Sequence, residues 1–135
     1  MTNDQLVRLG KFNYINIETY RKNGHSVRTP LWFVIKGERI YFRTDRESGK
    51  VKRIRNNQNV RLAACDIRGK PKGPWLVGKA HLEEFDSEVF SMIRKKYGIR
   101  AILIRFFNKL RRITPIIISI SIDLNRNNNT SSVEK

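Results

Sequence analysis

Ser48-Gly49-Lys50 lies at the centre of the most chemically suggestive stretch of this sequence, RTDRESGKVKRIRNN, residues 43–57. Arg43, Arg46, Lys50, Lys52, Arg53 and Arg55 stand there against only Asp45 and Glu47. Ser48-Gly49 breaks a strand pattern, and KVKRIRNN then fits a short helix. On it Val51 and Ile54 share one face and Lys50 and Arg53 share another, at i, i+3. The first N–H groups of a helix lack partners and the helix dipole favours an anion there. Ser48 can add a hydroxyl, and Lys50 and Arg53 can add charge. Arg43 and Thr44, ending the preceding strand, could reach the same point. The chemistry on offer is phosphate binding; the bland alternative is a solvated helix face. Glycine spacing and the strand-to-helix geometry exclude a Walker A loop.

Other residue types offer less. A single cysteine, Cys65, excludes an intrachain disulfide and reads as a small core residue within VRLAAC. With only His25 and His81 beside it, no metal site is expected. Catalytic residues are unassigned. Glu83 and Glu84 are adjacent and face opposite ways on a strand, Asp66 reads as a turn residue, and nothing distinguishes Tyr20, Tyr41 or His25 as proton donors.

The elements that must position these groups read mainly as β. YINIETY is followed by Asn23-Gly24, the strongest short hairpin signal. A second strand is expected from Ser26 to Lys36, with Pro30 demanding a bulge or an unpaired edge. RIYFRT, NVRLAACDI and WLVGKAHLEEF supply three more strands. DSEVFSMIRKKYG carries a cap at Asp86 or Ser87, basic residues in its last turn and a terminating Gly98, the signature of a helix. A second helix is expected over 99–112, with Ile99, Leu103, Phe106, Phe107 and Leu110 on one apolar face packed on the barrel. PIIISISIDL closes the set. The expected fold is a six-stranded antiparallel barrel with inserted helices, one domain over 1–124 and a polar, disordered tail over 125–135.

The 135 residues carry a net charge of +16, which calls for an anionic partner: nucleic acid, a membrane surface or a polyanionic small molecule. No apolar run is long enough for a membrane span. The N-terminus lacks a signal-peptide core, so a cytoplasmic location is expected.

Three pieces, GHSVRTPLWF, YFRTDRESGKVKRIRNNQNV and CDIRGKPKGPWLVGKAHL, follow one another in an order that resembles the pyridoxamine 5'-phosphate oxidase-like split β-barrel proteins. The likeness spans roughly residues 10 to 100 and is nearest to the flavin/deazaflavin oxidoreductase branch using coenzyme F-420. It implies an FMN-binding-protein-like homodimer with cofactor sites at the subunit interface. By that resemblance Ser48, Lys50, Lys52 and Arg53 would hold the cofactor phosphate. Thr29, Pro30, Leu31 and Trp32 would run along the ring, mostly through backbone, and Arg43 and Thr44 would complete the pocket. Trp75 would line the ring pocket or cover the dimer interface. The strongly basic balance favours the longer anion, F-420, over FMN, and the expected activity is hydride transfer to a small organic substrate. Two rivals remain: a basic β-barrel nucleic-acid-binding module, and a flavin or deazaflavin carrier without turnover. The densest cations flank a helix start rather than interleaving with aromatics on a sheet face, so no specific nucleic acid is expected.

Overall fold

The computed structural model describes residues 4–84, 86–110 and 114–123. Its elements are α1 (Asp4–Leu9), β1 (Tyr14–Tyr20), β2 (Ser26–Leu31), β3 (Val34–Lys36), β4 (Arg39–Asp45), α2 (Gly49–Asn56), β5 (Asn59–Cys65), β6 (Leu76–Glu83), α3 (Ser87–Tyr97), α4 (Ile99–Leu110) and β7 (Pro115–Ile122). The strands form one antiparallel sheet in the order β2-β1-β5-β6-β7-β4-β3. The tail expected at 125–135 lies outside the described residues.

Seven strands replace the expected six because the strand drawn from Ser26 to Lys36 divides. Trp32 and Phe33 leave the ladder, and β2 and β3 end on opposite edges of the sheet. That division dictates the curvature. Leu31 and Val34 are three peptide steps apart, so the two edges approach within about 11 Å. A flat sheet of seven strands at about 4.8 Å spacing would hold its edges roughly 29 Å apart. The sheet therefore curls, consistent with a split barrel. Pro30 sits on β2, an edge strand paired only with β1, where a residue without an N–H is tolerated. The turn before β2 places Gly24 at φ +89°, as Asn-Gly requires.

Alternation fills the curled interior. Ile15 and Ile17 of β1, Ile40 and Phe42 of β4, Leu62 of β5 and Ile118 and Ile120 of β7 are fully buried together. Val51 and Ile54 of α2 join this cluster, so the basic helix is anchored by its apolar face. Leu6 and Leu9 join it from α1, a helix the sequence pattern did not announce. The outer face of β7 and β3 is covered by α3, where Val34 and Ile117 pack against Val89, Ile93 and Tyr97. Asp86 caps α3, accepting from the N–H groups of Glu88 and Val89. Lys36 of β3 pairs with Asp86 at 3.3 Å and Glu88 at 2.9 Å.

One expectation fails. The apolar face of α4 does not pack on the barrel: Ile99, Leu103, Phe106, Phe107 and Leu110 are all exposed. After the turn at Gly98 (φ +65°), α4 meets the body through Ala101 on its opposite side.

The break at Trp32-Phe33 needs its backbone groups satisfied from elsewhere. Tyr97, 4% exposed, does this. Its hydroxyl accepts from the Phe33 N–H at 2.9 Å, and its single proton serves the carbonyl of Phe33 at 2.8 Å or of Asn13 at 2.9 Å. Lys96 donates to the same Phe33 carbonyl at 3.0 Å. Tyr97→Phe keeps the ring and strands the buried Phe33 N–H. It should cost about 1–3 kcal/mol in urea unfolding, with an unchanged m-value. A loss below about 0.5 kcal/mol would mean that water replaces the hydroxyl, and the clamp would then be unimportant.

Candidate functional site

The stretch 43–57 folds as a strand end, a tight turn and a helix start. The Arg46 N–H donates to Thr114 and the Ser48 N–H to Asp45, which turns the chain out of β4 into α2. Ser48 is the N-cap, with its hydroxyl 3.5 Å from the Val51 N–H and 3.4 Å from the Thr44 hydroxyl. Both contacts are long, so the hydroxyl keeps capacity for a stronger partner. No acidic residue occupies the first turn of α2. Arg53 folds back across the helix start: a Cβ on Gly49 would lie 2.7 Å from its guanidinium. Glycine thus makes room for a cation beside the free N–H groups. The Arg53 Nε–H donates to Thr19 of β1 at 2.6 Å, which fixes the guanidinium. Lys50 is half-buried. Burial, then the charge of Arg53, lowers its pKa, and Asp45 offsets this in part. Burial likewise lowers that of Arg53, with Arg21 adding to it. Two partly desolvated cations and a helix N-terminus with no acid in its first turn form a place that favours an anion electrostatically.

A cavity of about 230 Å³ adjoins this cradle, lined by Trp32, Arg43, Thr44, Asp45, Ile93, Ala101 and Ile104. Thr44 belongs to both, as it lines the cavity and touches Ser48. The indole of Trp32 stacks on Tyr97 at 4.3 Å and 8° between planes, so the clamp that shapes the bend also orients this wall. Arg43 lies 4.8 Å over the Phe90 ring of α3. Of the residues selected from sequence, Trp32, Arg43 and Thr44 share the cavity, and Ser48, Lys50 and Arg53 share the adjoining cradle. Thr29 and Leu31 lie on the inward face of β2 opposite Ile17 and Ile15, and Pro30 on its outward face opposite Asn16. None of these three lines the cavity. Lys52 is exposed on α2.

Residues 4–117 match the sequence model of the family described as pyridoxamine 5'-phosphate oxidase. The chain belongs to the pyridoxamine 5'-phosphate oxidase family. Among curated proteins no relative matches it. Solved structures share its fold at low identity. A conserved hypothetical protein from Mycobacterium tuberculosis is 16% identical, with TM-score 0.68 over 91% of this chain and 81% of that one. HutZ, the heme storage protein from Vibrio cholerae, is 11% identical, with TM-score 0.66 over 91% and 92%. An F-420 reductase is 17% identical, with TM-score 0.60 over 90% and 95%.

Within this family member, residues that sequence reasoning missed have tertiary origins. Tyr97, Ile93, Ala101 and Ile104 reach the cavity region from helices inserted between β6 and β7. A tyrosine in the last turn of a helix, before glycine, invites a search for a buried partner. Nothing local points to Phe33, 64 positions away. Tyr20, Tyr41 and His25 do not line the cavity, and Tyr20 donates to Glu18 at 2.8 Å. Cys65 is buried, and burial, with Asp66 nearby, pushes its thiol up to about 11.

Trp75 does not line the cavity; it lies beneath the guanidinium groups of Arg28 at 4.6 Å and Arg61 at 5.3 Å. Both arginines bind Glu18, each at 2.8 Å. Glu18 is 2% exposed. Burial opposes its charge, but hydrogen bonds from Arg61, Arg28 and Tyr20 outweigh burial and bring the carboxyl down to about 2 from an ordinary 4.5. A carboxyl with a lowered folded pKa stabilises the fold fully above its unfolded value, and that stability is lost as pH falls toward the folded one. Glu18 should therefore make stability fall between about pH 4.5 and pH 2. Glu18→Gln should be less stable at neutral pH and show a flatter decline in that window, read from urea midpoints at pH 6, 4 and 3. Parallel curves for the two proteins would assign the acid sensitivity elsewhere.

Proposed function

We propose that the chain is an oxidoreductase that binds a flavin-type cofactor, reduced coenzyme F-420 in preference to FMN, between two copies of itself. The observation that carries this reading is the cationic cradle of Ser48, Lys50 and Arg53, joined through Thr44 to a cavity walled by an aromatic ring. In this reading the cradle holds the cofactor phosphate through the first N–H groups of α2, the Ser48 hydroxyl and the two cations. Lys52 adds charge from the exposed side. The ring lies along the chain from Thr29 through Pro30 and Leu31 to Trp32, whose departure from the ladder frees backbone groups for a ligand. Arg43 and Thr44 close the pocket. When bound, a reduced deazaflavin supplies a hydride, because carbon stands where flavin has N5. The protein's part is to bind, orient and exclude water.

A pocket that encloses a drug-sized ligand measures about 300–1,000 Å³. At about 230 Å³ the cavity offers only part of such an enclosure, which supports a homodimer in which the partner subunit supplies the rest. Trp75, which does not line this cavity in its own chain, then belongs to the interface or the partner's pocket. The net charge of +16 supports F-420, whose oligoglutamate tail adds carboxylates that FMN lacks. Similar folds include both an F-420 reductase and a heme storage protein, so heme belongs in the same titration.

Absorbance and calorimetric titration with F-420, FMN and heme should give the tightest binding to F-420. Lys50→Ala should weaken it about tenfold or more, as loss of a charge-assisted hydrogen bond of about 1.5–3 kcal/mol implies. Lys52→Ala and Arg55→Ala, both exposed, should cost less than about 1 kcal/mol. Equal small losses for all three variants would mean diffuse attraction. Heme binding with neither flavin bound would replace this reading altogether.

A further inference from the structure

We infer that α4 is a docking surface for an anionic membrane, on which it lies in the plane of the headgroups. Six large apolar side chains of this helix, Ile99, Ile102, Leu103, Phe106, Phe107 and Leu110, are each between 51% and 72% exposed, while Ile104, 43% exposed, lies outside their arc and lines the cavity. At 3.6 residues per turn they occupy one arc about 140° wide. Ala101, the buried residue that joins the helix to α3, stands on the opposite side. The apolar arc is thus turned away from the body of the protein. Solitary exposed apolar residues need no explanation, but a contiguous face of this kind marks an interaction site.

The edges of the arc identify the occupant. Arg100 stands just beyond one edge and Lys109 just beyond the other, and both are exposed. The segment 99–112 contains Arg100, Arg105, Lys109, Arg111 and Arg112 and no acidic residue. An apolar face bordered by cations suits the boundary between acyl chains and anionic headgroups, where long basic side chains reach up to phosphate while their stems stay in the apolar zone. A second copy of the chain fits less well. It would bring the same row of cations to the same border. No helix among the described residues is long and apolar enough to cross a membrane, so α4 would lie on the surface rather than span it.

Binding to lipid is separable from the general attraction of a basic protein to anions. The measurement is cosedimentation of the full chain with vesicles of phosphatidylcholine, and with vesicles containing about 30% phosphatidylglycerol, at about 0.15 M salt. The wild-type chain should partition at least tenfold more strongly to the anionic vesicles. Phe106→Ser with Phe107→Ser should lower that partitioning at least tenfold, while thermal unfolding stays unchanged because both rings are exposed. Arg100→Gln with Lys109→Gln should remove most of the preference for phosphatidylglycerol. Three outcomes would each overturn the inference: no binding by the wild-type chain, undiminished binding by the phenylalanine variant, or a wild-type dimer that the phenylalanine variant converts to monomer without any effect on vesicles.

Discussion

The chain crossing that curls the sheet has its buried backbone satisfied by one hydroxyl group. At Trp32-Phe33 the chain crosses from one edge of the sheet to the other, and in doing so it gives up its ladder bonds. Buried peptide groups without partners cost enough to forbid such a crossing unless something replaces the ladder. Tyr97 replaces it, bonding to both the N–H and the carbonyl of Phe33 with Lys96 as a second donor to the carbonyl. The same ring stacks on Trp32 and so sets one wall of the cavity. Burial pushes the phenol up to about 12, so it stays protonated and able to donate at any physiological pH. One side chain carried in by α3 thus supports the bend and orients a wall of the cavity.

Positive charge is handled in two different ways around this frame. Arg28 and Arg61 share the single carboxylate of Glu18 and lie over the Trp75 ring, so each guanidinium has a carboxylate and an aromatic partner. At the start of α2 there is no such compensation. Lys50 and Arg53 are partly desolvated and repel one another, and Asp45 is the one acid that offsets this for Lys50. Structures tolerate that imbalance where it is useful to leave a charge unsatisfied.

The apolar face of α4 is the counterpart of that imbalance in hydrophobic terms. α3 and α4 are consecutive helices of similar length separated by one glycine. One buries Val89, Ile93 and Tyr97 on the sheet, while the other turns its apolar residues outward. Helical periodicity is the same for both, because it records amphipathicity and not the identity of what covers the face.

Much of this was legible along the chain. The hairpin at Asn23-Gly24, most of the strands, the cap and stop of α3 and the basic helix after Ser48-Gly49 all follow from local rules, since turns, caps and alternation are properties of neighbouring residues. Pro30 correctly announced an edge. The division of the strand at Trp32-Phe33 was not legible, because an apolar run of good β-formers reads the same whether it continues in one ladder or changes edges. Nor was the partnership of Tyr97 with Phe33, the convergence of Trp32 with Thr44, or the placement of Trp75 beneath Arg28 and Arg61. Residue type and spacing determined which groups could bind an anion. Only the closure of the sheet, bringing distant backbone and helices together, decided which of them share one place.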